Sequence, residues 1–320
     1  MTETSIKYFT RVRIGNAENV TAGTGCTVFV FPEGVPAGLS VRGGGPASRE
    51  SELLKPLAAA DRIHAVLLSG GSAFGLDASG GVMRYLEERN IGFDAGGIIV
   101  PLVCQSCLFD LTVADGKTRP DAEMGYMACV NSEGNNYSDG NHGAGTGCTV
   151  GKMYGMSRCM KSGTGSYAVR IGDFMAGAVV ALNALGDVYD WKTGQKIAGA
   201  LSDDGRNFIR TDDVVYGGFG GEKSGFAWNT TLAVFMTNAA FEKSQLCKIA
   251  DMSHDGLARS IRPVHTGMDG DSIYAVSLGD FEADINAVGS IAADVVAEAV
   301  KRAVYSAESA YGYPSARSIA

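Results

Sequence analysis

The placement of glycine constrains this chain more than any other feature. Glycine fills 44 of 320 positions, about twice the ~7% of an ordinary protein. Much of it is gathered at 43–45, 70–75, 143–151 and 217–225. There is no Gly-X-Y period and there are only 8 prolines, so a collagen helix is excluded. A hydrophobic content of 45% excludes wholesale disorder. Glycine in a folded chain of this kind serves tight turns and places where backbone meets backbone without a Cβ between. Phosphate-binding loops are one such use, and they fail here on spacing. The Walker pattern needs Gly-x4-Gly-Lys-Ser/Thr, but Gly151-Lys152 is followed by Met153 and position 146 is Thr. No Gly-x-Gly-x-x-Gly stands between a strand and a helix, which argues against a dinucleotide fold.

A net charge of −8 and a pI near 5.1 argue against nucleic acid as a partner, because phosphate recognition needs a basic face. The N-terminus lacks the basic-then-apolar pattern of a secretory signal, and no apolar run reaches the ~20 residues of a membrane span. These features predict a cytoplasmic protein with no membrane association. The seven cysteines include one CxxC, Cys104-Gln-Ser-Cys107, with no second pair, and the four histidines are scattered. Buried thiols are the expectation, with no metal and no cofactor.

The pattern of apolar residues predicts a mixed α/β chain. Strands are expected at 24–31, 39–42, 63–69, 166–171, 176–190, 231–237 and 272–277, and helices at 50–60, 76–89, 241–260 and 282–305. The stretch 131–147 reads as loop. Ala22-Gly-Thr-Gly-Cys-Thr-Val28 recurs as Ala144-Gly-Thr-Gly-Cys-Thr-Val150, and two copies are too few for a solenoid. They read as two similar loop-to-strand transitions within one layered domain.

Two places could supply a nucleophile. Ser72, between a buried strand and a helix, has the setting of a nucleophile elbow, but Phe74 stands where the elbow needs glycine. A helix-start role for Ser72 competes with a triad completed by His254 or His265. The second place is Asn229-Thr230, where a glycine-rich stretch runs into a buried strand headed by a hydroxyl. Internal cleavage there would free an α-amine, with an ordinary pKa of ~8, to serve as base for its own hydroxyl. On the residues alone, Asn229-Thr230 also reads as an ordinary strand start, Asp269-Gly-Asp271 as a solvated turn and Asn183 as a satisfied polar group.

Five ordered blocks give the chain a family likeness. They are Gly38-Leu-Ser-Val-Arg-Gly-Gly-Gly-Pro46, Leu68-Ser-Gly-Gly-Ser-Ala-Phe-Gly-Leu-Asp77, Gly143-Ala-Gly-Thr-Gly-Cys-Thr-Val-Gly-Lys152, Val180-Ala-Leu-Asn-Ala-Leu-Gly-Asp-Val188 and Asn229-Thr-Thr-Leu-Ala-Val-Phe-Met-Thr-Asn238. Over nearly its whole length the sequence resembles the self-cleaving N-terminal-nucleophile hydrolases that include D-aminopeptidase/esterase, β-peptidyl aminopeptidase and nylon-oligomer endohydrolase. The resemblance implies a four-layer αββα sandwich forming a single hydrolase domain over 1–320. It implies a cut between Asn229 and Thr230 that leaves an α chain (1–229) and a β chain (230–320), assembled as a tetramer of αβ units. Thr230 matches the nucleophile, and Asp269 and Asp271 fit the acidic pair of the nylon-oligomer branch. Lys152 and Asn183 match the remaining polar positions, with Asn183 implied as a donor to the tetrahedral oxyanion. Ser72, Phe74 and Phe109 would wall the substrate pocket.

Two departures from the family pattern stand out. Phe109 replaces a tyrosine of some members, and Met236 and Asn238 replace the Ala and Asp of many relatives beyond the nucleophile. The implied activity is hydrolysis of a small peptide or amide. The rivals are an acyltransferase of the ornithine-acetyltransferase kind and an uncleaved, non-catalytic scaffold.

Overall fold

The computed structural model describes residues 1–217 and 229–319. Among these, two sheets hold the longer strands. The first runs Thr2–Thr4, Thr164–Ile171, Phe174–Asn183, Thr230–Ala239, Ser272–Phe281 and Ala37–Val41 in spatial order. Its pairs are antiparallel except Thr230–Ala239 with Ser272–Phe281, which run parallel. The second runs Arg13–Asn19, Thr24–Val35, Ile63–Ser69, Val103–Cys107 and Ala47–Arg49, with one parallel pair, Ile63–Ser69 beside Val103–Cys107. Five α-helices accompany them: α1 (Ala78–Glu87), α2 (Ala122–Glu133), α3 (Asp212–Gly217), α4 (Lys243–Ser260) and α5 (Ile285–Ser306).

The central strands read as continuous apolar runs because both of their faces are covered. Along Phe174–Asn183, Ala178, Val180 and Leu182 join a core that includes Leu246 and Ile249 of α4 and Val296 and Val300 of α5. Val179 and Ala181 point the other way, into a core with Phe29, Phe31, Val66 and Leu68 of the second sheet. On that sheet's far face Val28, Val30, Ala65 and Leu67 pack with Val82 and Leu86 of α1 and Ala128 of α2. Strand alternation with period two produces this division. In α5, Val288, Val295 and Val296 are buried at helical spacing as expected, and Asp284 caps the helix by accepting from the Asn286 and Ala287 amides at 3.0 and 2.9 Å.

Several expectations are corrected. Only a 3-10 turn, Ser51–Leu54, forms within 50–60. Pro56 holds Lys55 in extended geometry (φ −66°, ψ 140°) and stops the helix. The expected loop at 131–147 begins inside α2, whose N-cap is Asp121, accepting from the Met124 amide at 2.9 Å. The expected strand 176–190 is two strands, Phe174–Asn183 and Asp187–Tyr189. The repeated heptapeptides differ in structure. The first leads into the strand Thr24–Val35, whereas the second forms a 3-10 turn, Gly143–Gly145, and a two-residue strand. The copies lie against each other, with the Ala144 amide donating to Thr27 Oγ1 at 3.1 Å. Met236 lies in the core between the sheets, and Asn238 fastens the 173–175 turn by bonds to Asp173 and Met175. Both stand roughly 20 Å or more along the strand from Thr230, at ~3.3 Å per residue, so neither walls the nucleophile. The glycine-rich stretch before the expected cut, beyond Gly217, lies outside the described residues.

Candidate active site

Thr230 begins the strand Thr230–Ala239 and sits opposite Asn183, the last residue of its antiparallel neighbour. Strand alternation places both on the face that meets the second sheet, in line with Leu232 and Ala181. Both are closed from solvent, Thr230 at 3% and Asn183 at 0% exposure. The Thr230 hydroxyl donates to the carbonyl oxygen of Asn229, so the nucleophile candidate lies against the peptide group that precedes it. The same oxygen accepts the Gly270 amide at 3.0 Å. The Asn229 amide donates to Met268 at 3.2 Å, tying the segment before the strand to the loop 266–271.

That loop is gripped by the first glycine cluster. The amides of Arg42 and Gly43 donate to Asp271, that of Gly44 to Thr266 and that of Gly45 to Asp269, at 2.8–3.3 Å. A Cβ on Gly43 would lie 2.3 Å from the Asp269 carbonyl oxygen and 2.4 Å from the Asp271 nitrogen. Only glycine permits this approach. The acidic pair is thereby buried, Asp269 at 2% and Asp271 at 1% exposure, which overturns a solvated turn. The two carboxylates have different partners. Asp271 accepts from the Thr231 amide at 2.7 Å through Oδ1 and from His265 through Oδ2. Asp269 accepts from the Thr266 amide and hydroxyl, at 2.7 and 2.6 Å, both through Oδ2.

Lys152 completes the group. Its ammonium donates to Asn183 Oδ1 at 2.6 Å, an oxygen that also accepts the Thr149 amide. Burial brings its pKa down to about 8 against the opposing pull of nearby Cys159, Cys148, Asp269 and Asp110. Burial, then the neighbouring Asp271, pushes Asp269 up to about 6, with Lys152 and the Thr266 bonds holding it back. A carboxyl near 6 and an ammonium near 8 can exchange protons with a hydroxyl or an amine at neutral pH.

The sequence pattern of peptidase family S58 matches residues 6–317. The chain belongs to this family. An uncharacterized aminopeptidase of Mycobacterium leprae is 37% identical, over 95% of this chain and 89% of that one. The 6-aminohexanoate-oligomer endohydrolase of Kocuria sp. is 28% identical, over 92% and 84%. Among solved structures, a β-aminopeptidase of Burkholderia sp. superposes with a TM-score of 0.67 at 19% identity, over 97% of this chain and 90% of that one. The L-aminopeptidase D-Ala-esterase/amidase of Ochrobactrum anthropi, described as a variant of the Ntn hydrolase fold, gives 0.63 at 19%, over 93% and 83%. These likenesses establish the fold, and family membership makes this chain a hydrolase acting on amide bonds.

In the S58 peptidase the expected residues Thr230, Asn183, Lys152, Asp269 and Asp271 form one group. Phe109 joins it by its backbone, its carbonyl accepting from Asn183 Nδ2 at 2.7 Å. Asn183 is therefore a satisfied polar group on three sides, with one Nδ2 hydrogen outside these bonds. Ser72 is one step removed, its amide donating to Leu108 at 2.9 Å. Phe74 is on the surface, 58% exposed beneath the Arg119 guanidinium at 3.7 Å. No Ser72 triad forms. His265 bonds Asp271, His254 the Ser40 carbonyl, His64 the Leu102 amide and His142 Glu18. Among the described residues no group of three metal-ligating side chains is placed to hold a metal ion, and no helix is long and apolar enough to cross a membrane.

Sequence reasoning gave Gly270 and His265 no place beside Thr230 and did not single out Lys161 or Asp110 of the S58 peptidase. Lys161 is fully buried and donates to the Gly145 and Cys148 carbonyls at 3.1 and 3.0 Å, a structural tie for the third glycine cluster. Asp110 accepts from Thr24 Oγ1 at 2.6 Å and the Gly71 amide at 2.7 Å, joining the second cluster to the first heptapeptide. Burial raises it to about 6. Long-range packing creates these environments, and no local pattern announces them.

Proposed function

We propose that this S58 peptidase cuts its own chain between Asn229 and Thr230 and then hydrolyses amides of small amine-bearing substrates, with Thr230 as N-terminal nucleophile. One observation carries the reading: the buried Thr230 hydroxyl lies against the Asn229 carbonyl, whose oxygen already accepts the Gly270 amide. Thr230 Oγ1 attacks the Asn229 carbonyl carbon and passes its proton to Asp269. The Gly270 N–H holds the oxyanion that forms. Breaking the C–N bond, with a proton returned to the nitrogen, leaves an ester between Asn229 and Thr230 Oγ1. Water cleaves the ester into the Asn229 carboxylate and a free Thr230 whose α-amine assists its own hydroxyl. Each later turnover repeats acylation and hydrolysis on a substrate amide, with Asn183 assigned as oxyanion donor through its remaining Nδ2 hydrogen.

The two sheets with α4 and α5 outside one and α1 and α2 outside the other support a four-layer αββα sandwich forming one domain. Assembly of the αβ units into a cytoplasmic tetramer belongs to the same reading, on family resemblance. The substrate class follows from relatives named as aminopeptidases and as a 6-aminohexanoate-oligomer endohydrolase. Denaturing mass analysis is expected to give two fragments, the shorter beginning with Thr230. The protein should release free acid steadily from aminoacyl anilides or 6-aminohexanoate oligomers with no amine acceptor present. Product formed only when an amine is added would make it an acyltransferase. An intact chain without amidase activity would make it a scaffold.

The pH profile of self-cleavage follows from the two shifted groups. Asp269, raised to about 6, takes up a proton as pH falls through that value and ceases to act as base. Lys152, lowered to about 8, loses its charge as pH rises through that value. Cleavage followed over time in pH-jumped precursor should therefore be fastest between about 6 and 8. Lys152→Met removes the charge that holds Asp269 down, so the acid limb should move to higher pH. Asp110→Asn should leave the acid limb in place; an acid limb lost in that variant would transfer the base role to Asp110.

A further inference from the structure

The two carboxylates of the acidic pair have different partners, and one partner of Asp271 is His265. This histidine has a positive φ of 57°, a left-handed conformation that is costly for a side chain of this size. In that conformation its backbone N–H and ring Nδ1 converge on the same oxygen, Asp271 Oδ2, at 3.1 and 2.8 Å. The other oxygen, Oδ1, takes the amide of Thr231 at 2.7 Å. Asp271 thus bridges the loop to the backbone of the residue directly after Thr230. Behind the ring stands His254 of α4, edge-on with ring centroids 4.7 Å apart and an interplanar angle of 77°. His254 is itself anchored to the Ser40 carbonyl at 3.1 Å. Burial brings its pKa down to about 4, so the ring behind His265 is neutral at physiological pH.

We propose that His265 is a positioning residue for the reactions of Thr230: it fixes Asp271, Asp271 fixes the Thr231 amide, and the strand start so held aims the Thr230 hydroxyl. This rests on the proposed nucleophile and assigns distinct tasks to the two carboxylates. Asp269 exchanges the proton. Asp271, with His265 and Thr231 as partners, is a clamp. Among the described residues the hydrogen bonds of His265 go to Asp271 and not to Asn229 or Thr230, so its effect travels through geometry. Misplacement of a reacting group by about 1 Å costs up to ~10²-fold in rate.

Three substitutions separate donor, backbone and fold. His265→Gly accepts the left-handed backbone but has no ring donor. His265→Ala lacks the donor and retains the backbone cost. His265→Asn tolerates positive φ and offers its amide N–H near the place of Nδ1. Pulse-labelled precursor is followed for fragment appearance, and the mature enzyme is assayed for kcat and KM on an aminoacyl anilide. His265→Gly and His265→Ala are expected to lose roughly 10- to 100-fold in both cleavage rate and kcat with KM nearly unchanged. His265→Asn should recover most of that loss. Wild-type rates in His265→Gly, or a His265→Asn variant as slow as His265→Ala, would overturn the positioning role. Thr230→Ala run alongside keeps the two readings apart. If it still cuts, the nucleophile assignment fails. If it is inert while His265→Gly is normal, only the positioning role fails.

Discussion

Thr230→Ala is expected to remain a single 33.3 kDa chain through long incubation, with no amidase turnover. The argument has two parts. The hydroxyl is the atom that lies against the Asn229 carbonyl, and its removal takes away the only side-chain oxygen bonded to that group among the described residues. Without the cut there is no α-amine at position 230, so both the nucleophile and its assisting base are lost together. Loss of a covalent nucleophile reaches on the order of 10⁶-fold in well-studied hydrolases. Thr230→Ser keeps an oxygen one bond from Cβ and should still cut. The folded state should be little changed, because among the described residues the hydroxyl bonds to its neighbouring carbonyl alone. Far-UV and near-UV circular dichroism of Thr230→Ala should therefore match wild type. Cleavage surviving in this variant would place the nucleophile elsewhere and withdraw the proposed chemistry.

Gly270→Ala should block processing almost as completely, for a different reason. A Cβ at this position would stand 2.6 Å from Thr230 Oγ1, with the next atom, the Gly45 carbonyl oxygen, at 3.1 Å. Gly270 has no positive φ, so alanine meets no backbone penalty. The atom inside 3.0 Å is the end of a side chain, and the relief open to the structure is rotation of the Thr230 hydroxyl away from the methyl group. That rotation takes the nucleophile off the Asn229 carbonyl. The expected result is a folded precursor cut at least ~10²-fold more slowly, read by the persistence of uncut chain on a denaturing gel. Cutting at the wild-type rate would show that the hydroxyl reacts from another direction. Gly43→Ala is the useful contrast. There the crowding falls on the backbone of Asp269 and Asp271, which has no free rotor, so the loop itself must move.

The strands were legible where burial on both faces produces apolar runs, as in Ile63–Ser69, which the structure reproduces residue for residue. Val103–Cys107 was missed because its sequence, Val-Cys-Gln-Ser-Cys, hides a fully buried strand behind polar side chains. Gln105 donates its Nε2 there to the Ser69 hydroxyl and the Gly75 carbonyl at 2.9 and 2.6 Å. In the candidate site, the side chains that the structure gathers at Thr230, Asn183, Lys152, Asp269 and Asp271 were readable by resemblance to a family. The contribution of Gly270 was not, because it consists of a backbone N–H and the absence of a Cβ. His265 was weighed only as a partner for Ser72. Its true neighbour is six positions along, and a left-handed turn that no local signal marks brings the two together.

The strand that begins at Thr230 lies inside the first sheet, not at its rim. It is registered on one side to Phe174–Asn183 and on the other to Ser272–Phe281. A cut at its first residue therefore leaves both products sharing one uninterrupted ladder, and they part only when the sheet melts. Before the cut, folding is a first-order event within a single polymer. After the proposed cut the same sheet could be rebuilt only by collision of two molecules, so recovery from denaturation would acquire a dependence on concentration that the uncut chain does not have. The proposed maturation would thus convert a folding problem into an assembly problem solved once, at synthesis.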